Sequence, residues 1–115
     1  MESAMSDGLY PKATPEMSKR RKELAPEVHD AFTTFSKAVF ADGALPGRTK
    51  QLIAVAVAHV TQCPYCIDGH TKNAVNAGAS EAELAETAWV ASAIRAGGAY
   101  AHGRLAFKLA EGHQH

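Results

Sequence analysis

Apolar residues along this chain recur at three- and four-residue intervals, and no segment shows apolar–polar alternation bounded by hairpin turns, so the pattern predicts helices throughout. The first helical signal is Thr14-Pro15-Glu16. Threonine can cap, proline fits a first turn and glutamate faces the positive helix end, giving a short helix over Glu16 to Leu24. Pro26 restarts the chain into a second helix with one apolar stripe, Val28, Ala31, Phe32, Phe35 and Val39, that should stop near Asp42-Gly43. After the loop Leu45-Pro46-Gly47, Arg48 to Val60 is apolar on most of its circumference and reads as the central helix. Pro64 interrupts it and opens the next helix. This puts Cys63 at or beside the N-cap and Cys66 in the first turn, with an end near Ala77-Gly78. Ser80-Glu81-Ala82-Glu83 is a capping box, followed at helical spacing by Leu84, Ala88, Ala91 and Ile94 to about Ala96. Gly97-Gly98 should break or kink the path before a last helix near Ala99 to Leu109. The expected fold is all-α, a single-domain bundle of about six helices over residues 14–110. A flexible arm (1–13) should precede it and a frayed tail (111–115) should follow, with His113 and His115 as solvent-exposed ends.

Length and composition refine this. A chain of 115 residues fits one domain. Alanine contributes 23 residues, whereas Leu, Ile, Val and Phe together contribute 21, so the helices can pack closely around few large side chains. Such a thin core becomes adequate when subunits pool their apolar faces, and a homo-oligomer is expected. The helices around Glu83 to Ala110, with Trp89, Tyr100 and Phe107, should supply part of that interface, although Trp89 equally suits an intrachain core. Twelve basic and twelve acidic side chains cancel without forming a block, which argues against nucleic acid or an anionic membrane as partner. The first ten residues lack an apolar signal-peptide core, and the run Leu52 to Val60 is far short of a membrane span, so a cytoplasmic location is expected.

The chemistry is concentrated in Gln62-Cys-Pro-Tyr-Cys-Ile-Asp-Gly-His70. Two cysteines three positions apart are a local device, not a framework that closes long loops. At a helix start, unpaired N–H groups and the helix dipole stabilise a thiolate, and the spacing lets one cysteine be oxidised or attacked and the other resolve it. His70 lies one turn beyond Cys66 on the same face, where an imidazole can take the thiol proton directly or through one water. That favours Cys66 as the activated thiol and Cys63 as the resolving one. The plainer reading makes both cysteines small buried apolar residues.

A metal reading competes. His59, Cys63, Cys66 and His70 form a His-x3-Cys-x2-Cys-x3-His string that can offer zinc four ligands, although zinc sites normally draw on two separated segments. His59 can otherwise line the thiol pocket or be a hydrogen-bonded core histidine. The Cys-x-x-Cys lies between helices and not after a strand, which excludes a thioredoxin fold. No glycine-rich phosphate loop follows a strand, so no cofactor is indicated.

The segment Arg48-Thr-Lys-Gln-Leu-Ile-Ala-Val-Ala-Val-Ala-His-Val-Thr-Gln-Cys-Pro-Tyr-Cys-Ile-Asp-Gly-His-Thr-Lys-Asn-Ala-Val-Asn-Ala-Gly-Ala79 resembles the core of the carboxymuconolactone decarboxylase family, in its alkylhydroperoxidase D-like (AhpD-like) branch. The likeness runs from about Pro46 to Gly98. It implies an all-helical fold, assembly into trimers or hexamers, and reduction of a hydroperoxide by the cysteine pair, which a thiol partner re-reduces. A protein disulfide is an equally open substrate. The family's relay of a glutamate, two cysteines and a histidine falls on Gln51, Cys63, Cys66 and His70. Gln51 stands where the glutamate is expected; it can orient the imidazole but cannot carry the charge. Glu27 on the second helix is a candidate substitute acid, and Gln51 also has a plain reading as a helix residue remote from the thiols. Tyr65 replaces a histidine that relay enzymes can carry between the cysteines. The family also has a non-redox lyase branch that does not depend on a cysteine pair.

Overall fold

The computed structural model describes residues 10–113, and among these there are five α-helices and no strand. They are α1 (Pro15–Leu24), α2 (Pro26–Phe40), α3 (Gly47–Thr61), α4 (Pro64–Asn76) and α5 (Glu81–Glu111). Residues 1–9 of the expected arm and 114–115 of the expected tail lie outside the described residues. The starts follow the local chemistry closely. Thr14 Oγ1 accepts the Met17 N–H at 3.3 Å to cap α1. Pro15, Pro26 and Pro64 each occupy a first turn, where the missing N–H costs nothing. Gly78 ends the α4 connection at φ 96°, a left-handed conformation suited to glycine.

The bundle differs from expectation at Gly97-Gly98. The helix continues through both glycines, so the two expected C-terminal helices are one 31-residue helix, α5. Glycine weakens a helix interior by about 1 kcal/mol relative to alanine but leaves the backbone hydrogen bonds intact, and the alanine-rich flanks carry the helix across. Five helices therefore stand where about six were expected.

A small core lies where α3 meets α4 and α5. Val55, Ala74 and Ala79 are buried, with Leu52 and Leu84 packed against them. Val55, at 2% exposure, is the largest fully buried side chain among the described residues, worth about 1.5–2 kcal/mol. The capping box anchors α5 to this core. Ser80 Oγ accepts the Glu83 N–H (3.1 Å) and Glu83 Oε1 accepts the Ser80 N–H (2.9 Å), while Glu83 Oε2 accepts a hydrogen bond from Arg48 Nη2 in the first turn of α3. Arg48 first, and the Ser80 N–H second, hold the Glu83 carboxyl down at about 2.

Beyond this core the chain leaves much apolar surface open. Most of the α2 stripe is exposed, and so are Ile94, Tyr100, Leu105, Phe107 and Leu109 of α5. Trp89 is 74% exposed, which overturns its reading as intrachain core. The accessible surface is 9029 Å², against about 6000 Å² for a compact monomer of this mass. No helix among the described residues is long and apolar enough to cross a membrane.

Glu83 has a value of about 2 when folded and 4.5 as a free side chain, so its contribution to stability is complete above pH 4.5 and lost as pH falls through about 2. Acid-unfolding curves should show that increment in the wild type and not in Glu83→Gln. Removing only the cap, Ser80→Ala, should cost about 1 kcal/mol, a fall of about 5 °C in Tm by calorimetry.

Candidate active site

Two residues, Gln62 and Cys63, join α3 to α4. Gln62 takes the left-handed conformation (φ 58°, ψ 47°), and both its N–H and that of Cys63 return to the Ala58 carbonyl. This closes α3 and reverses the chain within one turn. Cys63 becomes the N-cap of α4, its Sγ accepting the Cys66 N–H at 3.2 Å. Cys63 and Cys66 are joined as a disulfide with Cα atoms 5.3 Å apart. The expected placement of both cysteines holds.

One turn on, His70 meets α3. Its Nδ1–H donates to Gln51 Oε1 at 2.8 Å, so in the neutral ring Nε2 is the nitrogen without a proton. Gln51 is therefore not remote from the site; it fixes the tautomer and orientation of His70. The other support of the ring comes from α2. Phe40, the last residue of α2, stacks on it with centroids 5.0 Å apart and planes at 26°. Phe40 directly follows Val39, the last residue of the apolar stripe, but only the geometry of the α2–α3 loop tells that it turns inward.

That geometry is set by two side chains, Lys50 and Asp42. Lys50 Nζ donates to the Val39 and Ala41 carbonyls (2.8 and 2.6 Å), satisfying the end of α2. Asp42 Oδ1 accepts the Gly47 N–H at 2.6 Å, fastening the loop at the start of α3. Glu27 fails as substitute acid: it lies in the first turn of α2, thirteen residues from Phe40, or about 20 Å along the helix.

Between α2 and α3 runs a groove of about 480 Å³ with Cys66 and His70 in its lining. Val39, Phe40 and Leu45 form one wall, and Ile53, Ala54 and Val57 the other. Cys63 is not part of the lining, so a ligand in the groove meets Cys66. Tyr65 turns away toward the N-terminal segment. Its hydroxyl donates to the Pro11 carbonyl at 2.7 Å, and its ring meets that of Tyr10 edge-on at 6.2 Å. Nothing in the local sequence around Tyr10 signals this long-range contact.

The four residues of the zinc reading are not brought together. His59 Nδ1 donates to the Val55 carbonyl (2.8 Å), and the side chain lines a separate groove between α3 and α5 with Ser92 and Arg95. Among the described residues no group of three or more His, Cys, Asp and Glu side chains is placed to hold a metal ion.

Comparison with known proteins extends these findings. An uncharacterised protein of the cox locus of Paracoccus denitrificans is 52% identical over 105 residues, 91% of this chain and 94% of that protein. A crystal structure of a protein from Methanobacterium thermoautotrophicum is similar, with a TM-score of 0.72 and 41% identity over 78% of this chain and 98% of the other. The apo form of a carboxymuconolactone decarboxylase family protein from Legionella pneumophila gives a TM-score of 0.63 and 40% identity over 69% and 70% of the two chains. The sequence pattern of one family matches residues 26–109. With that match spanning α2 to α5, the chain belongs to the carboxymuconolactone decarboxylase family.

Proposed function

We propose that this protein is a thiol-dependent hydroperoxide reductase of the AhpD-like branch. The observation that carries the reading is that Cys66 and His70, one turn apart on α4, line the same groove while Gln51 holds the imidazole. In the reduced enzyme Nε2 takes the Cys66 thiol proton. The thiolate attacks the terminal oxygen of the hydroperoxide, the O–O bond breaks, and the alkoxide leaves as alcohol with the proton from His70. Cys66 is left as sulfenic acid. The Cys63 thiol attacks its sulfur, water leaves, and the disulfide forms. Two equivalents of an external thiol, of the kind a reducing cytoplasm supplies, restore the dithiol and become a disulfide themselves. The cap geometry assists that last step, because a sulfur that accepts an N–H at a helix start is the better leaving thiolate.

The working form is a homo-oligomer, a trimer or hexamer by family likeness. The exposed faces of α2 and α5 support this, since Phe32, Phe35, Ile94, Leu105 and Phe107 lie open on them.

Hydroperoxide consumption with a dithiol reductant, followed from pH 6 to 9, tests the relay. Cys66→Ser should abolish turnover and His70→Ala should lower it, whereas Gln51→Glu, by adding a charge that stabilises imidazolium, should raise it by up to ~10²-fold. Unchanged rates and pH profiles in both Gln51→Glu and His70→Ala would sink the relay. Two thiols that survive mild peroxide, by thiol titration and intact mass, would sink the redox reading altogether. For assembly, sedimentation at micromolar concentration should return a multiple of the chain mass, reduced by Phe107→Glu; a stable wild-type monomer would falsify that part.

A further inference from the structure

The groove over Cys66 is apolar along its middle and carries a charge toward one end. Lys50 lies in the first turn of α3 and Thr61 is its last residue, about 16 Å further along the axis. The Cys63–Cys66 pair lies at the Thr61 end, tied to α3 through the Ala58 carbonyl. Between the two ends the α3 wall presents Ile53, Ala54 and Val57. Among the described residues no Asp or Glu lines the groove, and His70 is engaged through Nδ1 with Gln51.

Lys50 has capacity left. Two of its three N–H donors go to the Val39 and Ala41 carbonyls, and it forms no ion pair among the described residues. Asp42, in the same loop, directs a carboxylate oxygen to the Gly47 N–H instead. A fixed ammonium with one donor remaining and no carboxylate partner among the described residues, at the end of an apolar trough, complements a molecule with one negative charge and one long apolar body.

We infer that the groove binds a medium-chain fatty-acid-type carboxylate, headgroup on Lys50 and chain along Ile53, Ala54 and Val57 toward Cys66. As a statement about substrate, the hydroperoxide of such an acid, it rests on the peroxidase reading. As a statement about binding it does not.

Calorimetric titration with decanoate and with decanol, which has the same chain without the charge, tests it on the oxidised full-length protein. Decanoate should bind saturably and more tightly than decanol. Lys50→Met should weaken decanoate about tenfold more than it weakens decanol, the difference being the scale of one charge-assisted hydrogen bond and the shared loss reporting the α2–α3 clamp that Lys50 also makes. Lys50→Arg should retain decanoate binding, and Val57→Asp should weaken both ligands. Equal affinity of the wild type for the two ligands, or an equal loss of both in Lys50→Met, would overturn the assignment. So would the absence of saturable binding to either, which would mean that protein, a second copy included, closes the groove. Comparing kcat/KM for a fatty-acid hydroperoxide and for neutral cumene hydroperoxide separates the two readings: if decanoate binds and neither peroxide is reduced, the peroxidase reading fails and the carboxylate site stands.

Discussion

A proline at position 64 can neither donate an N–H nor sit within a continuing helix, and the arrangement of the site descends from that constraint. The central helix must end before it and a new helix must begin at it. In the two residues between, Gln62 adopts a left-handed turn and Cys63 is left as a cap. The two cysteines therefore straddle a helix start, the place where a sulfur anion is best stabilised by backbone. Antiparallel return of α4 along α3 then brings residue 70 beside residue 51, nineteen positions away. The same reversal stacks Ala74 against Val55 in the core, so site and core are held by one helix pair.

The remaining wall depends on how α2 is brought to α3. Lys50 ties the last carbonyls of α2 to the first turn of α3, and Asp42 fixes the loop between them. Phe40 is thereby held against His70. An imidazole clamped by an amide on one nitrogen and an aromatic face has little rotational freedom, so orientation is settled before any ligand arrives. The four residues expected from family likeness, Gln51, Cys63, Cys66 and His70, lie on or beside one helix pair, with an uncharged amide at Gln51.

Much of this was legible in the sequence because it is local. Proline at the helix starts, the Ser80–Glu83 box and the Cys66–His70 spacing are encoded within a few residues, and the structure places them as their chemistry requires. The His70–Gln51 contact was reachable only through family likeness. What the sequence did not reveal is non-local: the stacking of Phe40, the clamp of Lys50 and the contact of Tyr65 with Pro11 depend on loop paths that no periodicity reports. Gly97-Gly98 misled for another reason. Glycine signals a break by propensity, but its cost is modest and the flanking alanines favour helix strongly enough to carry the chain through.

That continuity has a consequence in helix–coil terms. At 1.5 Å per residue α5 is about 46 Å long, and its last four turns contain Gly97, Gly98 and Gly103 with exposed side chains along most of their length. The alanines carry the helix past the glycines, but about four turns is near the length at which a helix is marginal in water, and no packed face among the described residues supports this stretch. Its helicity is then sensitive to any surface that covers Leu105 and Phe107. Wherever a surface docks on this stretch, coil-to-helix ordering and docking are one equilibrium, and its ellipticity then reports occupancy of that surface.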